Sequence, residues 1–197
     1  VIIIGVTGSL STGKTTVASM FAHLGAQILD ADRIAHRLLQ KDRICIKKII
    51  GFFGDSVMTR NRIDKGKLAA IVFKNKKHLD ALEKIIHPCV IKEIKEKIKY
   101  FRAGGRKKVV ILDVPLLYES GLSKLSDFNI TVWVPQKIQL QRILKNTEMS
   151  RREALARIRC QMPLRQKCKL SDFIIDNQGA RQRTRKQVTA IWDQCVI

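Results

Sequence analysis

Gly8-Ser9-Leu10-Ser11-Thr12-Gly13-Lys14-Thr15 matches GxxxxGK[ST] in full and, with Thr16 next, constrains this chain more than any other segment. It follows a short β-branched run, Ile2 to Val6, and precedes an apolar pattern of helical spacing at 17, 18, 20, 21 and 24. A phosphate loop works only in that setting. The turn aims successive backbone N–H groups at the β-phosphate, and the following helix adds the positive end of its dipole. Lys14 reaches between the β- and γ-phosphates, and the Thr15 hydroxyl can serve Mg²⁺. A nucleoside triphosphate site at Gly8 to Thr16 is therefore expected.

The rest of the chain gives the loop a parallel sheet. Short apolar runs recur at 27–30, 108–113 (KVVILD), 130–134 (ITVWV) and 173–176 (FIID). They are continuous rather than alternating, as in strands covered on both faces. Helical patterns separate them at 15–24, 64–73, 78–99, 136–144, 151–160 and 181–196. Pro88 should kink or divide the third of these. Alternating strands and helices give an α/β core of three layers. Residues 30–107 hold no confident strand, far more chain than one crossover needs. They are read as a helical insert in a core made of 1–29 and 108–197. Within the core, residues 136–170 form a smaller basic excursion, with Arg142, Lys145, Arg151, Arg152, Arg157, Arg159, Arg165, Lys167 and Lys169.

The remaining P-loop classes can be narrowed. Asn75-Lys76-Lys77-His78 begins like a guanine-reading NKxD but ends in His and lies in the insert, against a switch GTPase. A small chain with a helical insert and an arginine-rich late segment suits a kinase for a small phosphoryl acceptor, the arginines closing over the moving phosphate. Leu29-Asp30-Ala31-Asp32-Arg33 falls where ligands collect, at the carboxyl end of a strand. A carboxylate there can take the proton of an attacking hydroxyl, or simply cap a helix. Asp113 closes the third strand and can hold a water of the Mg²⁺ shell, or be a strand-end acid only.

Taken together, these residues resemble the dephospho-CoA kinase family. The matching strings are Ile4-Gly5-Val6-Thr7-Gly8 with the loop, Leu24-Gly25-Ala26, and Asp30-Ala31-Asp32-Arg33-Ile34-Ala35. Further on come Phe53-Gly54, Ile63-Asp64 with Leu68 and Val72-Phe73, Ile86-His87-Pro88, and Pro115-Leu116-Leu117-Tyr118-Glu119. Gln139 with Arg142, Gln161, Ser171-Asp172, and Ile175-Asp176-Asn177-Gln178-Gly179 close a series covering residues 2 to about 190. The resemblance implies a five-stranded parallel P-loop kinase core, a helical substrate-binding insert and a small lid. It implies phosphorylation of the ribose 3′-hydroxyl of dephospho-CoA by ATP·Mg²⁺, giving CoA and ADP. Asp32 would be the general base, and Lys14 and Arg142 the phosphate-stabilising cations. His87, Pro88, Leu116, Leu117 and Glu119 would lie on the acceptor side, and Asn177 and Gly179 beside the adenine.

Three positions depart from the family's usual pattern. Ser11 stands where glycine is common and fits if its φ is negative. Lys65 replaces an arginine, keeping charge but losing the bidentate fork. Asn146 replaces a second lid arginine, a role that Lys145 or a residue near 151 would have to fill. Other readings are another small-molecule or nucleotide kinase and a nucleic-acid-binding P-loop protein.

Charge and cysteine usage bound the setting. Lys+Arg is 38 against 17 Asp+Glu, a net +21, which steers polyanions such as ATP and a CoA precursor. Aromatics are only 6 % and not interleaved with the basic residues, against a single-strand nucleic-acid platform. Five cysteines (45, 89, 160, 168, 195) form no CxxC pair, which fits a reducing cytoplasm and small buried hydrophobes. No run approaches the ~18 apolar residues of a membrane span, and Val1 to Val6 is too short for a signal peptide. No membrane partner is expected, and no apolar stripe assigns an oligomeric state.

Overall fold

A computed structural model describes all residues except 61, 73–74, 105–108 and 197. Phe73, at the end of one expected helix, and Lys108, at the start of one expected strand, lie outside the described residues. The chain divides into two compact units, Val1–Asp30 with Phe101–Ile197, and Ala31–Tyr100.

The first unit is built on a parallel sheet of five strands, in the order β2-β5-β1-β6-β7. They are β1 (Ile2–Gly8), β2 (Gln27–Asp30), β5 (Val109–Asp113), β6 (Phe128–Trp133) and β7 (Phe173–Asp176). β1 is central, in register with β5 from Ile2↔Val109 to Val6↔Asp113 and with β6 from Ile4↔Phe128 to Gly8↔Val132. All five residues of β5 are buried, and six of the seven in β1, as a sheet covered on both faces requires. Five helices belong to this unit: α1 (Lys14–His23), α6 (Gln136–Asn146), α7 (Arg151–Arg159), α8 (Leu164–Leu170) and α9 (Arg181–Cys195). One core joins Val17, Ala18 and Phe21 of α1 to Val188 and Ile191 of α9 and to Ile4, Val6, Ile111, Ile130 and Ile175 of the strands. A smaller cluster joins Leu140 and Ile143 of α6 to Ala154 of α7, with Leu10 of the phosphate loop against it.

Side chains set the strand ends. At the amino-terminal rim, Asp127 accepts from the Ile3 N–H (2.7 Å) and Asp172 from the Asn129 N–H (2.7 Å). Mid-strand, a Cβ on Gly5 would stand 2.7 Å from Asn129 Oδ1 and 2.9 Å from a Leu117 methyl, so only glycine admits these neighbours.

The second unit is mostly helical: α2 (Ala31–Lys41), α3 (Arg43–Phe53), α4 (Lys65–Val72) and most of α5 (Lys76–Ala103). Asp42 caps α3, accepting from the Cys45 N–H at 2.7 Å. Asp64 accepts from the Lys67 N–H (3.1 Å), the Thr59 hydroxyl (2.9 Å) and the Gly66 N–H (2.9 Å) at the start of α4, and these bonds hold its carboxyl below the usual range. Arg37 of α2 pairs with Glu93 of α5. The expectation of an insert with no confident strand misses a short antiparallel ladder, β3 (Met58–Thr59) with β4 (Arg62–Ile63), too brief for a period-2 signal.

The predicted break at Pro88 does not divide the helix: α5 runs unbroken through it. Proline removes one backbone donor, but the buried stripe Ile86, Val90, Ile94 and Ile98 continues on both sides and holds the helix together. All five cysteines are free thiols, and burial pushes Cys168 and Cys195 above the ordinary range. Burial and the neighbouring Cys89 thiol push Cys45 up to about 12. These three behave as small apolar groups.

Candidate active site

The phosphate loop lies between the end of β1 and the start of α1, as its sequence dictates. Gly13 adopts φ 89, which a side chain would strain. Ser11 also sits in the left-handed region, at φ 57, so the condition of a negative φ is not met. The loop must curl its amides inward at this point, and the serine accepts the strain of about 1–2 kcal/mol that glycine avoids. The loop is closed internally by the Thr12 N–H and hydroxyl, both donating to Ser9 O (3.3 and 2.9 Å).

Lys14 begins α1 and pairs with Asp113, whose side chain is 3 % exposed at the carboxyl end of β5. Register explains the meeting: Asp113 lies opposite Val6 on one side and Asp30 on the other, so β5 and β2 finish together and β1 runs two residues further into the phosphate loop. Thr15 and Thr16 follow Lys14 with exposed side chains. A phosphate-bound Mg²⁺ takes one or two protein ligands, the remainder being phosphate oxygens and water. The Thr15 hydroxyl and Asp113 carboxylate suit that donor set. No group of three or more potential metal-binding side chains occurs among the described residues.

Two elements grip the loop from outside. Gln139 of α6, 3 % exposed, donates to Ser9 Oγ and Leu10 O, both at 2.8 Å. Asn177, just past β7, donates from Nδ2 to Thr12 O (2.8 Å) and accepts the Thr184 hydroxyl of α9 on Oδ1 (2.9 Å). Its own N–H donates to Trp133 O at 2.9 Å. A Cβ on Gly13 would collide with the Asn177 amide, so the glycine is needed for this approach as well as for its φ. Arg142 of α6 donates to Asn177 O (2.8 Å) and, more loosely, to Thr12 O (3.5 Å). The guanidinium proposed for phosphate contact is thus anchored on the loop's rear bracket, with other N–H donors in reserve.

Other sequence candidates take defined places. Asp32 is exposed in the first turn of α2, two residues beyond Asp30. His87 is half-buried and Pro88 exposed, both within α5. Leu116 is half-buried, whereas Leu117 is completely buried and packs toward Gly5, so its side chain serves the core. Glu119 accepts the Met162 N–H (2.9 Å) and pairs with Lys167 (3.0 Å). Gly179 is exposed between β7 and α9. Lys145 and Asn146 are exposed at the end of α6, and Lys65 opens α4. Helix α7 starts with a capping box in which Glu153 Oε2 accepts from the Ser150 N–H (2.8 Å) and hydroxyl (2.7 Å), holding that carboxyl low.

Asn177 is expected in the loop beside the adenine; its side-chain amide is engaged at both ends, by Thr12 O and by the Thr184 hydroxyl, and so braces the phosphate loop. Gln139 and Thr184 are functional residues whose roles the sequence does not mark. Neither carries a motif of its own, and their partners lie 130 and 7 residues away.

Comparison with known proteins places these features. A family model described as "Dephospho-CoA kinase" matches residues 2–182. A dephospho-CoA kinase of Carboxydothermus hydrogenoformans is 45 % identical over 190 residues, covering 96 % of this chain and 92 % of that one. The crystal structure of TT1252 from Thermus thermophilus superposes with a TM-score of 0.80 at 30 % identity, covering 98 % of this chain and 97 % of that one. A dephospho-CoA kinase from Campylobacter jejuni gives 0.74 at 28 %, covering 98 % and 96 %. With its five-stranded parallel sheet, braced phosphate loop and near full-length similarity, the chain belongs to the dephospho-CoA kinase family of P-loop kinases.

Proposed function

We propose that this protein transfers the γ-phosphoryl group of ATP to the ribose 3′-hydroxyl of dephospho-CoA, releasing CoA and ADP. The observation that carries this reading is the Lys14–Asp113 pair under a doubly braced phosphate loop, in a chain 45 % identical to a dephospho-CoA kinase over 96 % of its length.

The loop amides and the α1 amino terminus receive the β-phosphate, and Lys14 exchanges part of its pairing with Asp113 for phosphate oxygens. Thr15 and Asp113 would hold Mg²⁺, which neutralises charge on the β- and γ-oxygens when bound. Arg142 offers its remaining donors to the transferring group. Asp32 orients the acceptor hydroxyl and takes its proton as the new P–O bond forms. A ribose hydroxyl is a weak acid, so the proton leaves late and an ordinary carboxylate suffices. The helical unit, residues 31–100, binds the acceptor and carries His87 and Pro88, and in the core Leu116 and Glu119 are acceptor contacts. Residues 136–170 are taken as the lid, which excludes water from the γ-phosphate. No helix among the described residues is long and apolar enough to cross a membrane. The net +21 steers both polyanionic substrates, and a cytoplasmic site of action fits the free thiols.

Product analysis after mixing the protein with ATP, Mg²⁺ and dephospho-CoA tests the reading. A 3′-phosphorylated product is expected. ATP consumption that rises with RNA but not with dephospho-CoA would refute it.

A further inference from the structure

Lys167 is the buried charged group for which the proposed chemistry has no use. Its side chain is 0 % exposed in the middle of α8. Burial pulls its ammonium below the usual lysine range, with the Lys14 charge adding to the pull and Glu119 opposing it. A cation so placed persists only where acceptors hold it. Here they are the Pro115 carbonyl (2.5 Å) and Glu119 Oε1 (3.0 Å).

Each acceptor is shared with a second element. Pro115 O also accepts the hydroxyl of Thr7, the residue before Gly8 of the phosphate loop (3.0 Å). Glu119 Oε1 also accepts the N–H of Met162, between α7 and α8 (2.9 Å). One ammonium therefore joins the end of β1, the segment that follows Asp113, and the foot of the basic excursion. The α8 end is secured in turn, since Lys167 O accepts the Ser171 hydroxyl (2.9 Å), which meets Tyr118 Oη (2.7 Å) and Thr131 Oγ1 (2.5 Å). By contrast, Gln139 and Asn177 hold the phosphate loop without any help from Lys167.

We propose that Lys167 is a positioning residue for phosphoryl transfer, fixing the 114–119 segment against the foot of the lid while leaving ATP binding to the independently braced phosphate loop. The role rests on the kinase reading above. Its mark is an asymmetry: loss of the joint misplaces the groups that meet the acceptor, and a displacement of about 1 Å costs up to ~100-fold in rate.

The test compares wild type with Lys167→Met, Lys167→Arg and Glu119→Gln, with kinetics normalised to the folded fraction. For Lys167→Met, kcat/KM for dephospho-CoA should fall at least about tenfold, while the Kd for ATP without acceptor stays within about twofold. Lys167→Arg, which keeps the charge and several donors, should recover most of the loss. Glu119→Gln should lie between. A Lys167→Met protein with unchanged kcat/KM per folded site would overturn the proposal, as would equal loss of ATP affinity and acceptor efficiency. If Lys167→Met does not fold, Lys167→Gln decides, and an unchanged acceptor kcat/KM overturns it. Wild type failing to phosphorylate dephospho-CoA would instead overturn the kinase reading.

Discussion

Replacing Asn177 with alanine removes both hydrogen bonds of its side chain at once. The Thr184 hydroxyl, 0 % exposed, loses its acceptor, and Thr12 O keeps only the 3.5 Å contact with Arg142. Each such bond contributes about 1 kcal/mol net, and an orphaned buried partner costs about 1–3 kcal/mol. The variant should be about 2–4 kcal/mol less stable, a large share of the ~5–15 kcal/mol of an ordinary domain. A loop without its rear bracket must also be ordered by the ligand, so ATP affinity should fall about tenfold, equivalent to ~1.4 kcal/mol. Urea unfolding at constant m-value gives the first quantity and titration with a non-hydrolysable ATP analogue the second. Thr184→Val leaves the Thr12 bond intact and should lose stability with little change in ATP affinity. Asn177→Asp keeps the Thr184 bond but turns a carboxylate oxygen toward Thr12 O, so it should not restore ATP affinity. A shift below about 0.5 kcal/mol with unchanged ATP affinity in Asn177→Ala would refute the bracing role, since that is the range of surface substitutions.

Other perturbations test other parts of the site. Lys14→Ala leaves Asp113 buried without its ion pair and removes a phosphate contact. Turnover should drop at least about 100-fold in a steady-state assay, and near-normal kinetics would contradict the loop assignment. Asp32→Asn should lower kcat by about 100-fold or more with ATP affinity kept, because only the acceptor's proton path is lost; retained turnover would exclude its role as base. Ser11→Gly relieves a left-handed serine at about 1–2 kcal/mol but frees the unfolded chain by about 0.4–1 kcal/mol, so a net gain of about 0.8 kcal/mol, within a range of about 0–1.6, is expected in thermal unfolding. Glu153 has a carboxyl held below its usual range by Ser150, so its contribution to α7 is full above pH 4.5 and is lost as pH falls through the lowered value. The Tm difference between wild type and Glu153→Gln should accordingly close as pH is lowered through that window.

The sheet was readable from the chain because a strand buried on both faces leaves a continuous β-branched run, as at 109–113, and the edge strand at 173–176 keeps such a run although Ile174 is exposed. The phosphate loop was readable because its motif is contiguous. Local rules failed where tertiary contacts outweigh them. Pro88 sits inside an intact helix because the stripe from Ile86 to Ile98 is buried on both sides of it. Ser11 takes a positive φ because the loop's curvature demands it. The brackets from Gln139 and Asn177, and the Lys167 joint, pair residues 130, 165 and 52 positions apart, and no one-dimensional pattern encodes such meetings. In the sequence Lys167 is one basic residue among many in a basic segment, and only its burial sets it apart.

The polarity of the sheet gives the core two ends with separate duties. The phosphate loop and Asp113 lie at the carboxyl ends of the strands, while the opposite end is pinned by Asp127 and Asp172 and turned at Gly25, whose φ of 105 suits glycine alone. A fluorophore, an affinity tag or a surface tether attached at the neighbouring Leu24, which is exposed and has an ordinary negative φ, would report on or immobilise the enzyme from the end of the sheet opposite the phosphate loop.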